Sequence, residues 1–182
     1  MSAEDPVVIV GMARTPMGGL LGELASKTAN ELGAIAIQGA MEDAGLSGDA
    51  VNEVIMGNCL PAGQGQAPAR QAGIKAELPE AAEATTINKM CGSGMKTVML
   101  AHDLIKAGSA SVAVAGGMEN MSLSPYIVPK ARQGLRMGHA QMLDHMFFDG
   151  LEDAYEGGLM GSFAQQTADQ YKVTREAMDD FA

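Results

Sequence analysis

The sequence predicts an α/β protein whose strands pair mainly in parallel, and two patterns lead to this class. Strand-like and helix-like segments alternate along the first 117 residues, as they do when helices connect the parallel strands of one sheet. The first strand candidate, residues 7–10, is an unbroken β-branched run of the kind found in strands covered on both faces. With 182 residues, 47% of them hydrophobic, the chain is long enough for one packed domain or slightly more.

The helices are predicted from their start and stop signals. Thr28 followed by Glu31 forms a capping box, and Gly45 ends the apolar helical pattern that follows it. The same reasoning predicts further helices at residues 69–74, 93–108, 162–171 and 174–182. Further strands are predicted at residues 51–56, 85–87 and 111–115.

The pattern of the chain changes after Gly117. Residues 118–160 are rich in Met and Gly and hold no sustained period, which indicates an extended loop or a small excursion from the first fold. We therefore expect a domain boundary near residue 118, with one domain at residues 1–118 and a second at residues 119–182. The last helical pattern continues to Ala182 without a capping Gly, so we expect the chain to be a cut piece of a longer protein.

Composition excludes several functional classes. The chain has 12 Lys+Arg against 22 Asp+Glu, a formal charge of −10, which argues against nucleic acid as a partner. No apolar run approaches the ~20 residues of a membrane-spanning helix, so no membrane partner is expected. The acidic N-terminus lacks the basic start of a secretory signal, and we expect a cytoplasmic protein. Two cysteines and three scattered histidines are too few for a disulfide framework or a structural metal site.

Cys91 is the candidate nucleophile of the sequence. It lies in the segment Asn-Lys-Met-Cys-Gly-Ser-Gly, between a predicted strand and a predicted helix. A thiol at a helix N-terminus lies at the positive end of the helix dipole, which favours the nucleophilic thiolate form. The neighbouring glycines let a substrate approach the backbone, so the Cys91 N–H is a candidate oxyanion donor. The alternative is that Cys91 is an ordinary small buried side chain.

A cysteine that makes and breaks carbon bonds needs an acid/base partner. His102 lies on the same predicted helix but three turns further on, roughly 16 Å along its axis, so it cannot contact Cys91. His139 and His145 lie in the irregular region, where the sequence predicts no geometry. The base is therefore not identified within this chain.

Other polar or reactive residues give weaker signals. We interpret Cys59 as structural, because no glycine-rich helix start follows it. The loop at residues 63–68 is rich in Gly but lacks the lysine and spacing of nucleotide-binding fingerprints. The basic cluster is either a solvated face or a site for an anionic group such as a phosphorylated cofactor. Its members are Lys130, Arg132 and Arg136.

Four motifs give the chain a resemblance to a known family. They are VIVGMARTP at residues 8–16, GQAPARQ at 65–71, NKMCGSG at 88–94 and GGMENMS at 116–122. The motifs occur in the order found in thiolases. From about residue 7 onward, the chain resembles the N-terminal part of thiolases of the acetyl-CoA acetyltransferase type.

The resemblance implies a thiolase-like fold with α-β-α-β-α layers, in which residues 1–118 form the N-terminal βαβαβαββ half. Residues 119–182 then begin the inserted loop domain that binds CoA and contributes to tetramers, truncated at its C-terminal end. A homodimer or homotetramer is implied. Residues 124–146 correspond to the region where dimers meet in tetrameric members, and they include several apolar side chains.

The resemblance also implies a reaction in two steps. Cys91 takes an acyl group from acyl-CoA as a thioester, and the carbanion of a second acetyl-CoA attacks that thioester in a Claisen condensation. Thiolysis of a 3-ketoacyl-CoA is the reverse reaction. No cofactor is implied, because coenzyme A enters as part of the substrate.

Further site residues follow from the resemblance alone. Leu151, Leu159 and Met160 match positions that line the pantetheine tunnel, and many biosynthetic members have a histidine where Leu159 stands. The C-terminal half of thiolases supplies a Gly-His-Pro histidine, an Asn-Glu loop and a second cysteine, and none of these motifs occurs in this sequence. The missing half, in the same chain or a separate one, is therefore an expected partner.

Two other functions remain open from the sequence. A condensing enzyme of the ketoacyl-synthase type shares the fold and the cysteine nucleophile. A non-catalytic acyl-CoA-binding subunit that needs a partner chain is the second alternative.

Overall fold

The protein is described here by a computed structural model that covers residues 6–182. The chain forms two compact units, Met1–Pro125 and Tyr126–Ala182. Among the described residues, the first unit contains a three-stranded parallel sheet and three α-helices, and the second contains a short two-stranded antiparallel ladder and two α-helices. The α/β class with parallel pairing, predicted from the sequence, is confirmed.

The sheet of the first unit is built around one buried strand. Strand β1, Glu53–Gly57, lies in the centre, and all five of its residues are buried. It pairs in parallel with β2, Glu83–Ile87, on one side and with β3, Ala113–Gly117, on the other. All three carboxyl ends therefore meet at one edge of the sheet, which is where α/β proteins place their functional sites.

The helices of this unit follow the predicted starts and stops. Helix α1 spans Ala29–Ala44, α2 spans Pro68–Lys75 and α3 spans Ser93–Ala107. The capping box of α1 is confirmed, since Thr28 Oγ1 accepts from the Glu31 N–H at 3.3 Å and Glu31 Oε2 accepts from the Thr28 N–H at 2.8 Å. Gly45 and Gly108 adopt the left-handed conformation that ends α1 and α3.

The prediction of a strand at residues 7–10 is wrong. This segment joins no sheet in the described chain, and its side chains from Val8 to Val10 are exposed. The residues that follow it lie along the end of α1: a Cβ added to Gly11 would be 2.4 Å from the Ala40 carbonyl oxygen, and the Met12 N–H donates to the Asp43 carboxylate at 2.9 Å. A β-branched run favours an extended backbone but does not determine which strand it pairs with. Both edges of β1 are already paired, so this segment finds no place beside it.

The second unit has little regular structure before its helices. Strand β4, Tyr126–Ile127, pairs antiparallel with β5, Leu143–Asp144, and a π-helical turn follows at Phe147–Leu151. Helices α4, Met160–Tyr171, and α5, Arg175–Phe181, confirm the helices predicted for the end of the chain. No helix of residues 6–182 is both long enough and apolar enough to cross a membrane.

Replacing Thr28 with Ala should lower the free energy of unfolding by about 1 kcal/mol, because the first turn of α1 loses its side-chain cap. Hydrogen bonds from the Thr28 backbone and side chain lower the pKa of Glu31 from 4.5. The stabilising effect of the capping box should therefore be lost as the pH falls below 4.5 toward that lowered value. Urea unfolding at pH 7 and pH 3.5 measures both effects. Ser26→Ala, an exposed residue outside the cap, is the control, and equal stability of the two variants at pH 7 would contradict the prediction.

Candidate active site

Cys91 lies in the short turn that connects β2 to α3, at the carboxyl edge of the sheet. Gly92 is the N-cap residue of α3, so Cys91 immediately precedes the helix N-terminus. The thiol is free and the residue is exposed. The sequence-predicted position between a strand and a helix is thus observed, and it leaves the sulfur open to a ligand.

The turn carries a strained residue directly before the cysteine. Met90 has a φ of 48°, in the left-handed region that costs a residue with a Cβ roughly 1–2 kcal/mol. Its backbone is held on both sides: the Met90 N–H donates to Asn88 Oδ1 at 2.8 Å, and the Met90 carbonyl oxygen accepts from the Ser93 N–H at 2.9 Å. The strain is therefore maintained by local hydrogen bonds rather than by a glycine.

Ser93 fixes the same turn through its side chain. The residue is only 4% exposed, and its Oγ accepts from the Lys89 N–H at 2.8 Å while donating to the Met90 carbonyl oxygen at 2.6 Å. The last residue of β1 makes room for it, because a Cβ added to Gly57 would lie 2.6 Å from the Ser93 Cβ. The first turn of α3 thus packs directly on the backbone of the central strand.

Cys59 lies beside this turn, which the sequence did not predict. Its thiol donates to the Met90 carbonyl oxygen at 3.0 Å and lies 3.4 Å from Ser93 Oγ. Burial raises the pKa of Cys59, and the charges of Glu119 and Cys91 act in the same direction, whereas the hydrogen bond with Ser93 opposes them. Cys59 is therefore a neutral thiol at neutral pH. It contacts the carbonyl group of Met90, the residue directly before the candidate nucleophile Cys91.

Glu119 ties together the loops that follow β1 and β3. Its carboxylate accepts from Asn58 Nδ2 and from the Cys59 N–H, both at 2.7 Å, and from the Leu60 N–H at 3.3 Å. The sequence marked this glutamate only as part of a motif. No local pattern in the sequence predicts that its carboxylate accepts hydrogen bonds from backbone groups distant in the chain.

The three candidate substrate-binding residues lie together in the second unit. Leu151 ends the π-helical turn, and Leu159 is the N-cap residue of α4, which begins with Met160. An antiparallel bridge between Glu152 and Leu159 brings the two short segments side by side. Leu159 and Met160 are exposed and Leu151 is half-buried, so an apolar surface is present, and its role in binding remains a prediction.

One of the three histidines lies in the first unit and two lie in the second. His102 is exposed on α3, where its ring nitrogen lies 3.1 Å from the Asp103 carboxylate. His145 is buried in the second unit, with its Nδ1 2.5 Å from Asp149 Oδ2, and its Nε2 has no partner among the described residues. His139 is exposed in the same unit. The first unit therefore contributes no imidazole that contacts Cys91.

The glycine-rich loop before α2 is held by a side chain of the helix itself. Gln71 Nε2 donates to the carbonyl oxygens of Gln64 and Gln66 at 2.8 and 2.7 Å, and Asn30 Nδ2 donates to Gln71 Oε1 at 2.6 Å. Hydrogen bonds within the chain therefore explain the conformation of this loop. All three residues of the basic cluster are exposed, which fits either a solvated face or a site for an anionic group. Within residues 6–182 no group of three or more side chains is arranged to hold a metal ion.

Comparison with known proteins defines the class to which this fold and turn belong. Residues 7–182 match the family described as thiolase, N-terminal domain. The chain is 54% identical over 176 residues to an acetyl-CoA acetyltransferase of Cupriavidus necator and 52% identical over 176 residues to one of Pseudomonas aeruginosa. Each of these alignments covers 97% of this chain and 45% of the relative. Acetyl-CoA acetyltransferase 2 of Arabidopsis thaliana is 49% identical, with 97% of this chain and 44% of the relative covered.

The chain belongs to the thiolase family, as its four motifs suggested. It spans about 45% of the length of the curated relatives that it matches.

Iodoacetamide should label Cys91 at least about tenfold faster than Cys59 at neutral pH, because Cys91 is exposed whereas Cys59 is half-buried. Since the pKa of Cys59 is raised above 9.0, its labelling should become fast only at a pH higher than that value. Peptide mass spectrometry across a pH series measures both rates. The Cys91→Ser variant shows Cys59 alone as a control, and preferential labelling of Cys59 in the unaltered chain would contradict the prediction.

Proposed function

We propose that this chain supplies the nucleophile of a thiolase that interconverts two acetyl-CoA molecules and acetoacetyl-CoA, with release of coenzyme A. The observation that supports this most is the exposed Cys91 on a strained strand-to-helix turn. It occurs in a chain about half identical to proteins named acetyl-CoA acetyltransferase.

In the first step, the Cys91 thiolate attacks the carbonyl carbon of acyl-CoA. The carbonyl oxygen becomes negatively charged, the bond to the CoA sulfur then breaks, and the acyl group remains on Cys91 as a thioester. The N-terminus of the 15-residue helix α3 provides a positive partial charge next to this oxyanion. Coenzyme A leaves as the thiolate and takes up a proton.

In the second step, the methyl carbon of acetyl-CoA loses a proton and attacks the thioester on Cys91. A new carbon–carbon bond forms, the bond to Cys91 breaks, and acetoacetyl-CoA is released. This step needs a base for the methyl group, and we propose that the base belongs to the other half of the protein. We propose no resident cofactor, since coenzyme A is part of the substrate.

We propose that Leu151, Leu159 and Met160 line the path of the pantetheine arm. The exposed apolar side chains of Leu159 and Met160 suit a largely uncharged chain of this kind. The leucine side chain at position 159 offers no hydrogen bond to the substrate.

The remainder of the protein is the proposed partner of the first unit. Helix α3 buries its small residues Ser93, Thr97 and Ala101 on the sheet, while Met95, Val98 and Met99 on the opposite side are exposed. A row of exposed large apolar side chains suits a second packed layer. We propose that the half present in the longer relatives covers this face.

Turnover should require both halves. A chimera of this chain with the remaining segment of the Cupriavidus necator relative should carry out steady acetoacetyl-CoA thiolysis. The 182-residue chain alone should be slower by at least about 10²–10⁴-fold, because a positioned acid/base group is missing. A spectrophotometric thiolysis assay measures both.

Two variants of the chimera show whether the activity belongs to Cys91. Cys91→Ala should abolish turnover, and Ser109→Ala, an exposed position after the end of the same helix, should leave it unchanged. Steady turnover by this chain alone, lost in Cys91→Ala, would show that the base lies within these residues. Full activity of the Cys91→Ala chimera would refute the proposed function.

We further propose that the second unit contributes to a dimer or tetramer through exposed apolar side chains near its antiparallel ladder. Val128 and Met142 are both exposed, whereas Ile127 is half-buried. Changing Val128 and Met142 together to Asp in the chimera should lower the mass measured by light scattering without removing thiolysis. The double variant Val128→Ile and Met142→Leu should keep the original mass. An unchanged mass in the Asp variant would count against this interface.

A further inference from the structure

The peptide bond between Met90 and Cys91 is held from one side by an unusual number of donors. The Met90 carbonyl oxygen accepts from the Cys59 thiol at 3.0 Å, from Ser93 Oγ at 2.6 Å and from the Ser93 N–H at 2.9 Å. Two of the three donors are side chains, and one of them comes from the loop after β1. The direction of this carbonyl group is therefore set by side chains that are distant from each other in the sequence.

The orientation of that carbonyl group determines where the next N–H points. A peptide bond is planar and trans, so its N–H lies antiparallel to its C=O. The Met90 oxygen points toward Ser93, which is buried, and toward Cys59, which is half-buried. The Cys91 N–H consequently points away from this buried side. Because it belongs to the same residue as the nucleophilic sulfur, it is suited to bind an oxygen of the attacked group.

We propose that Cys59 and Ser93 are positioning residues that hold the Met90–Cys91 peptide so that the Cys91 N–H stabilises the acylation oxyanion. This inference rests on the proposed function. When the Cys91 thiolate attacks an ester or thioester carbonyl carbon, the C=O electron pair moves to oxygen. The Cys91 N–H donates to that oxygen, and the pair returns as the leaving group departs. Neither Cys59 nor Ser93 touches the reacting atoms.

The protonation state of Cys59 agrees with this role. A thiol donates a hydrogen bond to a carbonyl oxygen only while it keeps its proton. Burial raises the pKa of Cys59, which keeps the donor in place at neutral pH. A thiolate at position 59 would lose this hydrogen bond and would also repel a negative charge on Cys91.

Two reactions of Cys91 separate positioning from general damage. Acylation by p-nitrophenyl acetate passes through an oxyanion, whereas alkylation by iodoacetamide is a direct displacement without one. Both rates are measured at Cys91 by peptide mass spectrometry in the 182-residue chain. The variants are Cys59→Ala, Cys59→Ser, Ser93→Ala and the double variant of Cys59→Ala with Ser93→Ala. Ser109→Ala, an exposed serine after the far end of α3, is the matched control.

The double variant should lower the ratio of acylation to alkylation by at least about tenfold, since losing an oxyanion donor costs roughly 10²–10³-fold. Cys59→Ser keeps a donor and should lie nearer the unaltered chain than Cys59→Ala does, and this pair decides the matter if the double variant does not fold. Unchanged ratios, or acylation and alkylation that fall together, would overturn the proposal.

Failure of the proposed function has a different signature. Acylation of the unaltered chain by p-nitrophenyl acetate, with none by acetyl-CoA in the chimera, would refute the thiolase function and leave the positioning roles testable by the ratio. Absence of acylation by both reagents in a chain that iodoacetamide still alkylates would refute the oxyanion role of the Cys91 N–H and overturn the inference.

Discussion

The close contact between Gly57 and Ser93 is the constraint on which the rest of the site depends. A Cβ at position 57 would lie 2.6 Å from that of Ser93, so only a glycine lets the first turn of α3 rest on the end of the central strand. This contact buries the Ser93 hydroxyl, which then bridges Lys89 and Met90. The connection from β2 to α3 passes through the left-handed conformation of Met90, and Cys91 directly after it is exposed.

Hydrogen bonds hold Glu119 and burial affects Cys59, the two acidic groups beside the turn. The chain carries a formal charge of −10, and Glu119 lies one residue away from the buried Met118. Its carboxylate is occupied by the side-chain amide of Asn58 and by two backbone N–H groups. Burial keeps Cys59 protonated. The N-terminus of α3, which directly follows Cys91, favours negative charge at this position.

Local signals in the sequence predicted the local structure, whereas contacts between residues distant in the sequence were not predicted. The capping box at Thr28 and the glycines that end α1 and α3 were predicted to the residue, because a cap is determined by neighbours a few positions away. The position of Cys91 before α3 was predicted for the same reason. The strand at residues 7–10 failed because pairing depends on partners elsewhere in the chain. Cys59 and Glu119 were missed as neighbours of the turn because only the parallel register of the sheet brings their loops beside it.

The two sides of α3 explain why a nucleophile and an exposed apolar face occur on the same element. Close packing on glycine-containing strand ends requires small residues, and the buried side supplies them, with Thr97 Oγ1 donating to the Gly116 carbonyl oxygen at 3.0 Å. The large side chains Met95, Val98 and Met99 are therefore left on the other side. The sheet that covers one side of α3 fixes the helix and therefore the position of Cys91. A second layer on the other side of α3 would exclude water from the turn that carries Cys91. The proposed second half would thus supply the missing base and, by covering α3, would also shield the reaction from solvent.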